Sequence, residues 1–370
     1  MMQIIRQKTL YLRPLISEKQ IMHQYNYTST ANKLLVAEIV KLLTGLYECK
    51  GRQDLYIENA PEILKSLMDQ AQSLSAISAC SITGSDITAE QLHALAENET
   101  NPNGRAEEEA IGYYQALTSI YEDYENIPIS TDTICKLHEK LYRYTPGVTG
   151  GKLKQNDFVV AETMKDGSEK VQFVPVKSGD TRDSLNTLCN KFNEAMQKGT
   201  YSPLLLIPIF TLDFLCIRPF KHGSGRISRL LTLLLLYKHG FFAGKYVSLE
   251  KIVAENIDTY HSTLRESADG WHNNSNNYMP FVRFYLELIG TTYERFQERV
   301  ELRRNGKLSK ADRVKSVFEK KMGRIKKRDI AACCPDISMT TIERTLAELL
   351  SNGTIEKVGS ARATAYILKK

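Results

Sequence analysis

The chain has 370 residues, of which 42% are apolar and 25% charged. That is enough for two or three domains with a filled core, and it excludes a disordered chain or a small disulfide-stapled scaffold. The apolar stretches Leu204–Phe210 and Leu230–Tyr237 fall well short of the roughly 18 residues a bilayer span needs, so no membrane partner is expected. The net charge of +6 is unevenly placed: Arg303 to Lys370 holds 17 Lys/Arg against 7 Asp/Glu, whereas the first 302 residues hold 32 against 36. All of the positive excess therefore belongs to the C-terminal fifth.

Met1-Met2-Gln3-Ile4-Ile5-Arg6 lacks an apolar secretory region, which leads to the expectation of a cytoplasmic protein. The seven cysteines, scattered apart from Cys333-Cys334, contain no C-x-x-C pair or metal-ligand spacing, so reduced thiols and no metal site are expected.

Along the chain, Leu34, Leu35, Ile39, Leu42 and Leu43 repeat at helical intervals, as do Ile63, Leu64, Leu67 and Met68 after Pro61. Helices are predicted to fill residues 1–100. The polar run Glu97–Gly104 marks a connection to a second helical block, 101–300. There, Arg105–Tyr121 and Asp132–Tyr144 are periodic until Gly147–Gly151 interrupts them. Phe158-Val159-Val160 and Val171-Gln172-Phe173-Val174, flanking Asp166-Gly167, read as one β-hairpin set among helices. Ser184–Lys198, Leu204–Ile217, Gly225–His239, Glu250–Ser267 and Tyr278–Val300 resume the helical period, and Glu301–Ser309 reads as a linker. The fold class expected is all-α with a single hairpin, followed by a small α+β domain at 301–370.

The segment Ile217-Arg218-Pro219-Phe220-Lys221-His222-Gly223-Ser224-Gly225-Arg226-Ile227-Ser228-Arg229 carries the chemistry. Two glycines at a helix start let backbone N–H groups approach an anion without Cβ interference, in the favourable potential of the helix dipole. Arg226 and Arg229 leave one face of the first turn and suit forked contacts to phosphate oxygens.

This segment resembles the Fic domain motif, His-Pro-Phe-x-(Asp/Glu)-Gly-Asn-Gly-Arg-x-x-Arg. Six of its nine specified positions are kept: Pro219, Phe220, Gly223, Gly225, Arg226 and Arg229. Arg218 replaces the His, His222 the acid and Ser224 the Asn. The resemblance runs from about Ser75 to Leu288. Gly151-Lys152-Leu153-Lys154 and the hairpin resemble the family's target-docking flap, Phe173-Val174-Pro175 the segment leaving it, and Asn256 and Tyr260 an Asn and Tyr after the active site. The resemblance implies a helical Fic core, ATP or a related nucleotide as ligand, and a protein target at the flap, 151–174. Members transfer AMP from ATP to a protein hydroxyl, with the motif His as base and the acid holding Mg²⁺.

A guanidinium, with a pKa above roughly 12, has no lone pair to accept a proton, so Arg218 is not a general base. Imidazole is a poor ligand for Mg²⁺, so no metal is expected at His222. The rival reading keeps the adenylyltransferase and makes His222 the base. On the preferred reading, Arg218, Lys221, Arg226 and Arg229 form a four-cation loop without an acid, binding a nucleotide or phosphate anion through Gly223, Ser224, Gly225, Arg226 and Arg229. Ala79-Cys80-Ser81-Ile82-Thr83-Gly84 resembles the family's inhibitory helix in degenerate form, with Thr83 where a Glu would pair with the final Arg. That loss predicts no ion pair at Arg229.

After the linker, Ser309-Lys310-Ala311-Asp312 is predicted to cap a helix through Lys320. A short helix follows at Ile325–Cys333, then one capped by Ser338 and ended by Gly353, and then strands Ile355–Val358 and Ala365–Leu368. This order resembles a winged helix, and the resemblance implies double-stranded DNA as partner. Thr340, Thr341 and Arg344 would face the major groove, Arg362 would sit at the wing tip, and Lys326, Lys327 and Arg328 would reach phosphates. A homodimer would suit palindromic half-sites.

Overall fold

The computed structural model describes residues 7–11, 23–59, 61–163, 168–305, 310–320, 324–334, 337–359 and 364–369. They form two compact units, 1–296 and 297–370.

The first unit begins with strand β1 (Gln7–Tyr11) and helices α1 (Tyr27–Leu34), α2 (Ala37–Asn59), α3 (Pro61–Ile82), α4 (Ala89–Ala96), α5 (Arg105–Asp123) and α6 (Thr131–Leu141). Strands β2 (Phe158–Thr163) and β3 (Glu169–Phe173) follow. Then come α7 (Thr181–Lys198), α8 (Pro203–Ile217), α9 (Ser224–Lys238), the short α10 (Ala243–Tyr246) and α11 (Leu249–Glu255), α12 (Ile257–Ala268), and α13 (Met279–Asn305), which runs across the unit boundary.

The mostly helical reading holds. Helix α8 is apolar all round, and Leu204 through Ile217 are buried without exception, as expected for a helix at the centre of a core rather than on its surface. It opens with Ser202 capping Leu204 N–H and Pro203 at the first helical position. Helix α9 packs beside it, with Leu230–Tyr237 buried.

Three expectations are corrected. The single helix read over Ala31–Leu46 is two, because Leu35 leaves the helical region at ψ 62° and α2 begins only at Ala37. The hairpin is the β2–β3 part of a three-stranded antiparallel sheet of order β1-β2-β3, with Thr9 opposite Val160 and Val160 opposite Phe173. Phe158, Val159, Val160 and Ala161 are consecutive and all buried, the signature of a central strand that needs a partner on each edge. The single helix expected over Glu250–Ser267 is two, because Asn256 leaves the helical region at φ −119°.

The second unit contains α14 (Lys310–Lys320), α15 (Lys327–Cys333), α16 (Met339–Ser351) and the hairpin β4 (Ile355–Val358) to β5 (Ala365–Leu368), with Ile325 bridging to Tyr366. Val314, Phe318, Ile330, Ile342, Leu346 and Ile355 contribute to its own core. Ser338 caps α16 by accepting from Thr341 N–H. Ser309, the Asp166-Gly167 turn and Arg362 lie outside the described residues.

Candidate functional site

The loop 218–223 joins the C-terminus of α8 to the N-terminus of α9. Arg218 caps α8: its N–H donates to Phe214 O at 2.9 Å, and its backbone is left-handed, φ 47° and ψ 68°. A non-glycine residue there stores backbone strain. The side chain is half-buried, and its Nε is sealed from solvent without a hydrogen-bond partner. Burial lowers the Arg218 pKa, opposed only by nearby Tyr260. Among the described residues no carboxylate forms an ion pair with it.

Gly223 precedes α9 at φ 80°, and a Cβ added there would lie 2.7 Å from the Tyr142 ring, so only glycine lets loop and ring pack together. The Ser224 hydroxyl accepts from Phe220 N–H at 3.2 Å and donates to Phe220 O at 3.1 Å. It closes the loop on itself rather than facing a ligand. Gly225 sits in the first turn with open space around it, apart from Arg229 Nη1 at 3.4 Å.

Both motif arginines are buried with a carboxylate partner each, although Arg226 Nε and Nη1 make no hydrogen bond. Arg226 Nη1 lies 3.2 Å from Glu109 Oε2, and Nη2 donates to Tyr142 Oη at 2.8 Å. Glu109, on α5, also accepts from Arg105 Nε at 2.9 Å and from Thr83 Oγ1 at 3.4 Å. Arg229 Nε donates to Glu250 Oε2 at 2.6 Å, and Tyr113 Oη donates to Glu250 Oε1 at 2.8 Å. Burial is the largest influence on Arg229 and works against its charge, but Glu250 together with Tyr260, Tyr113 and Tyr285 outweighs it and the pKa rises.

The expectation of four cations without an acid is therefore corrected, as is that of an unpaired Arg229. The carboxylates arrive from α5 and α11, elements far from the motif in sequence. Thr83 stands beside Glu109 and has no acid of its own to offer an arginine.

The loop is clipped to the start of the flap by two residues not singled out from sequence for these roles. His138 on α6 accepts from Gly151 N–H at Nδ1 (2.9 Å) and donates from Nε2 to His222 O (3.1 Å), which fixes its tautomer. Its ring stacks on Phe220 at 3.7 Å, and burial brings its pKa down to about 4. Lys154 N–H donates to Pro219 O at 2.9 Å and its Nζ to Ile217 O at 2.8 Å. Burial lowers the Lys154 pKa to about 7, with Arg218 adding to the effect against Asp157. A cavity of about 240 Å³ at the flap base is lined by Lys152, Lys154, Asn156, Phe158 and Lys221.

The His222 side chain is exposed, and its pKa is lowered by partial burial and by Lys221, Arg105 and Arg226. Tyr260 is buried with its hydroxyl unpartnered. His261 beside it is pushed to about 4 by burial and by Arg229, Arg265 and Arg218. Asn256 donates to Ile252 O at 2.8 Å.

In the second unit, Thr340 and Arg344 are exposed on α16 and Thr341 is half-buried, while Ile342, Thr345, Leu346 and Leu349 face inward. Lys327 pairs with Glu343 at 2.7 Å across α15 and α16.

A family model described as the Fic/DOC family matches residues 128–236. Among solved structures, a Fic family protein from Desulfovibrio desulfuricans is 17% identical, with a TM-score of 0.59 over 90% of this chain and 97% of that one. A Fic domain containing signaling protein from Bacteroides thetaiotaomicron is 19% identical, with a TM-score of 0.56 over 72% and 97%. Fic-1 from C. elegans is 20% identical, with a TM-score of 0.58 over 73% and 75%. At these identities the likeness speaks for the fold, and it extends well beyond the matched segment. The chain thus carries a Fic/DOC family domain at residues 128–236, within a larger helical unit of Fic-like fold.

Proposed function

We propose that this chain is a Fic-fold protein without nucleotidyl-transfer activity, which binds a phosphate-bearing anion at Arg218 and contacts duplex DNA through its C-terminal unit. The observation that carries the reading is Arg218 itself. A guanidinium stands where the family motif has its base, on a left-handed backbone, with a buried Nε and no carboxylate partner among the described residues. A charge partly removed from water without a counterion carries a desolvation cost, and an anionic ligand relieves it.

The ion pairs of Arg226 and Arg229 shift the expected anchor away from those two residues and toward Arg218, with the N-terminus of α9 behind it. Mg²⁺ does not fit the loop: position 222 is an imidazole, and the buried carboxylates that contact the motif, Glu109 and Glu250, are already held by guanidinium groups. ATP or a related nucleotide would bind here without the metal.

For the C-terminal unit, three helices followed by a hairpin, a net charge of +10 over residues 303–370 and the exposed Thr340 and Arg344 on α16 support a winged helix that docks DNA.

Calorimetry with inorganic phosphate, AMP and ATP, with and without EDTA, tests the anion site. Heat that survives EDTA and disappears in Arg218→Met is the expected result, and no heat with any of the three refutes the site. For DNA, mobility shifts on mixed duplexes should weaken steeply with salt and weaken further in Arg344→Ala. The rival adenylyltransferase reading draws on His222, whose pKa is lowered by partial burial and by Lys221, Arg105 and Arg226, a shift toward the neutral imidazole that a base requires. Labelled ATP with lysate separates the two: AMP transfer abolished by His222→Ala would overturn the inert reading.

A further inference from the structure

Ten large apolar side chains are exposed among the described residues, and five of them, Leu35, Val36, Val40, Tyr47 and Leu55, lie at the entry to α2 or along it. The adjoining face of α2, with Ile39, Leu43 and Leu46, is buried against its own molecule. The exposed positions are not scattered. Val36, Val40, Thr44, Tyr47, Gly51 and Leu55 follow one another at intervals of three or four residues, so they form one stripe down a 23-residue helix. Val40 is 46% exposed and Leu55 59%. Gly51 has nothing within 4 Å of an added Cβ, so no neighbour in its own molecule requires a glycine there, and glycine is a poor helix former. Together these features describe a helix face prepared for another helix, with a bare backbone at one point for close approach.

We infer that the stripe packs against the same stripe of a second copy of the chain, antiparallel, about a two-fold axis between Gly45 and Leu46. In this register Val40 lies opposite the second copy's Gly51 and Tyr47 opposite its Thr44, each a larger side chain on a smaller one, while Val36 and Leu55 make an apolar pair at either end. Parallel self-pairing would set Tyr47 on Tyr47 and Gly51 on Gly51, a collision beside a gap. The rim charges agree with the antiparallel choice. Glu48, whose own-helix partner Arg52 is exposed and 3.8 Å away, comes near Lys41 of the other copy twice, both residues being exposed on one side of the stripe, and the two helix dipoles oppose. A single helix pair covers less than the roughly 1,200 Å² of a standard interface, so the dimer is weak and concentration-dependent.

Cysteine pairs test both contact and register in the full-length protein. Val40→Cys/Gly51→Cys should give a covalent dimer under mild oxidation. Each single variant should stay at the wild-type background, because like positions lie roughly 16 Å apart along the axis. Sedimentation of wild type should show a dimer fraction that rises with concentration, and Gly51→Leu should weaken it by at least about tenfold without lowering the melting temperature. Absence of the cross-link in the double variant, a monomer at every concentration, or equal cross-linking of the singles would each overturn the proposal.

Discussion

Arg226 and Arg229 are bound to Glu109 and Glu250 through buried contacts, so their charges serve the fold before they serve any ligand. Glu250→Gln leaves the Arg229 charge buried and uncompensated, and is expected to cost roughly 3–5 kcal/mol in urea denaturation. The double variant Glu250→Gln/Arg229→Met should lose less than the single. If the single costs no more than the double, the pair does not do what its geometry implies. Gly223→Ala combines a strained φ with a clash at the Tyr142 ring, and a loss of about 1–3 kcal/mol is expected. His138 gives a pH signature. Its folded pKa of about 4 lies below the ordinary 6.5, so the unfolded chain takes up the proton first as the solution is acidified. The stability His138 confers is complete above 6.5 and is lost as pH falls toward 4. The difference between wild type and His138→Leu, measured by denaturation at several pH values, should therefore shrink across that window; a constant difference would argue against a neutral folded histidine.

At the scale of elements, periodicity in sequence located most helices because each needs one apolar stripe, and α8 was recognisable by being apolar all round. Strand β1 was not legible: five residues without alternation become a strand only because β2 has an open edge to pair with. The break at Asn256 was equally hidden, since apolar spacing continues through it while one backbone angle does not. Capping chemistry, in contrast, is local. Ser338 is the N-cap of α16, as its position before the apolar spacing implied, and Ser338→Ala should cost the C-terminal unit about 1 kcal/mol, read from its own unfolding transition. The flap base is an element held by others: His138 and Lys154 fasten residues 151–154 to the loop 217–222, so a change at that loop is felt at the flap.

On the scale of the whole molecule, the chain divides into two compact units, each with its own buried cluster. Calorimetry should resolve two unfolding transitions rather than one, and a single transition with equal calorimetric and van't Hoff enthalpies would contradict independent cores. The sequence by itself determined that a protonated guanidinium, unable to accept a further proton, occupies position 218, that a glycine turn precedes α9, and that positive charge gathers in the last fifth. These follow from residue type and local spacing alone. The partners of the two motif arginines were decided only by tertiary structure. Glu109 and Glu250 lie more than a hundred residues before Arg226 and about twenty after Arg229, and no periodicity marks either glutamate. Whether a buried cation meets an acid depends on which helices pack together, and that is settled by the burial of apolar faces over the whole unit, not by the residues beside the charge.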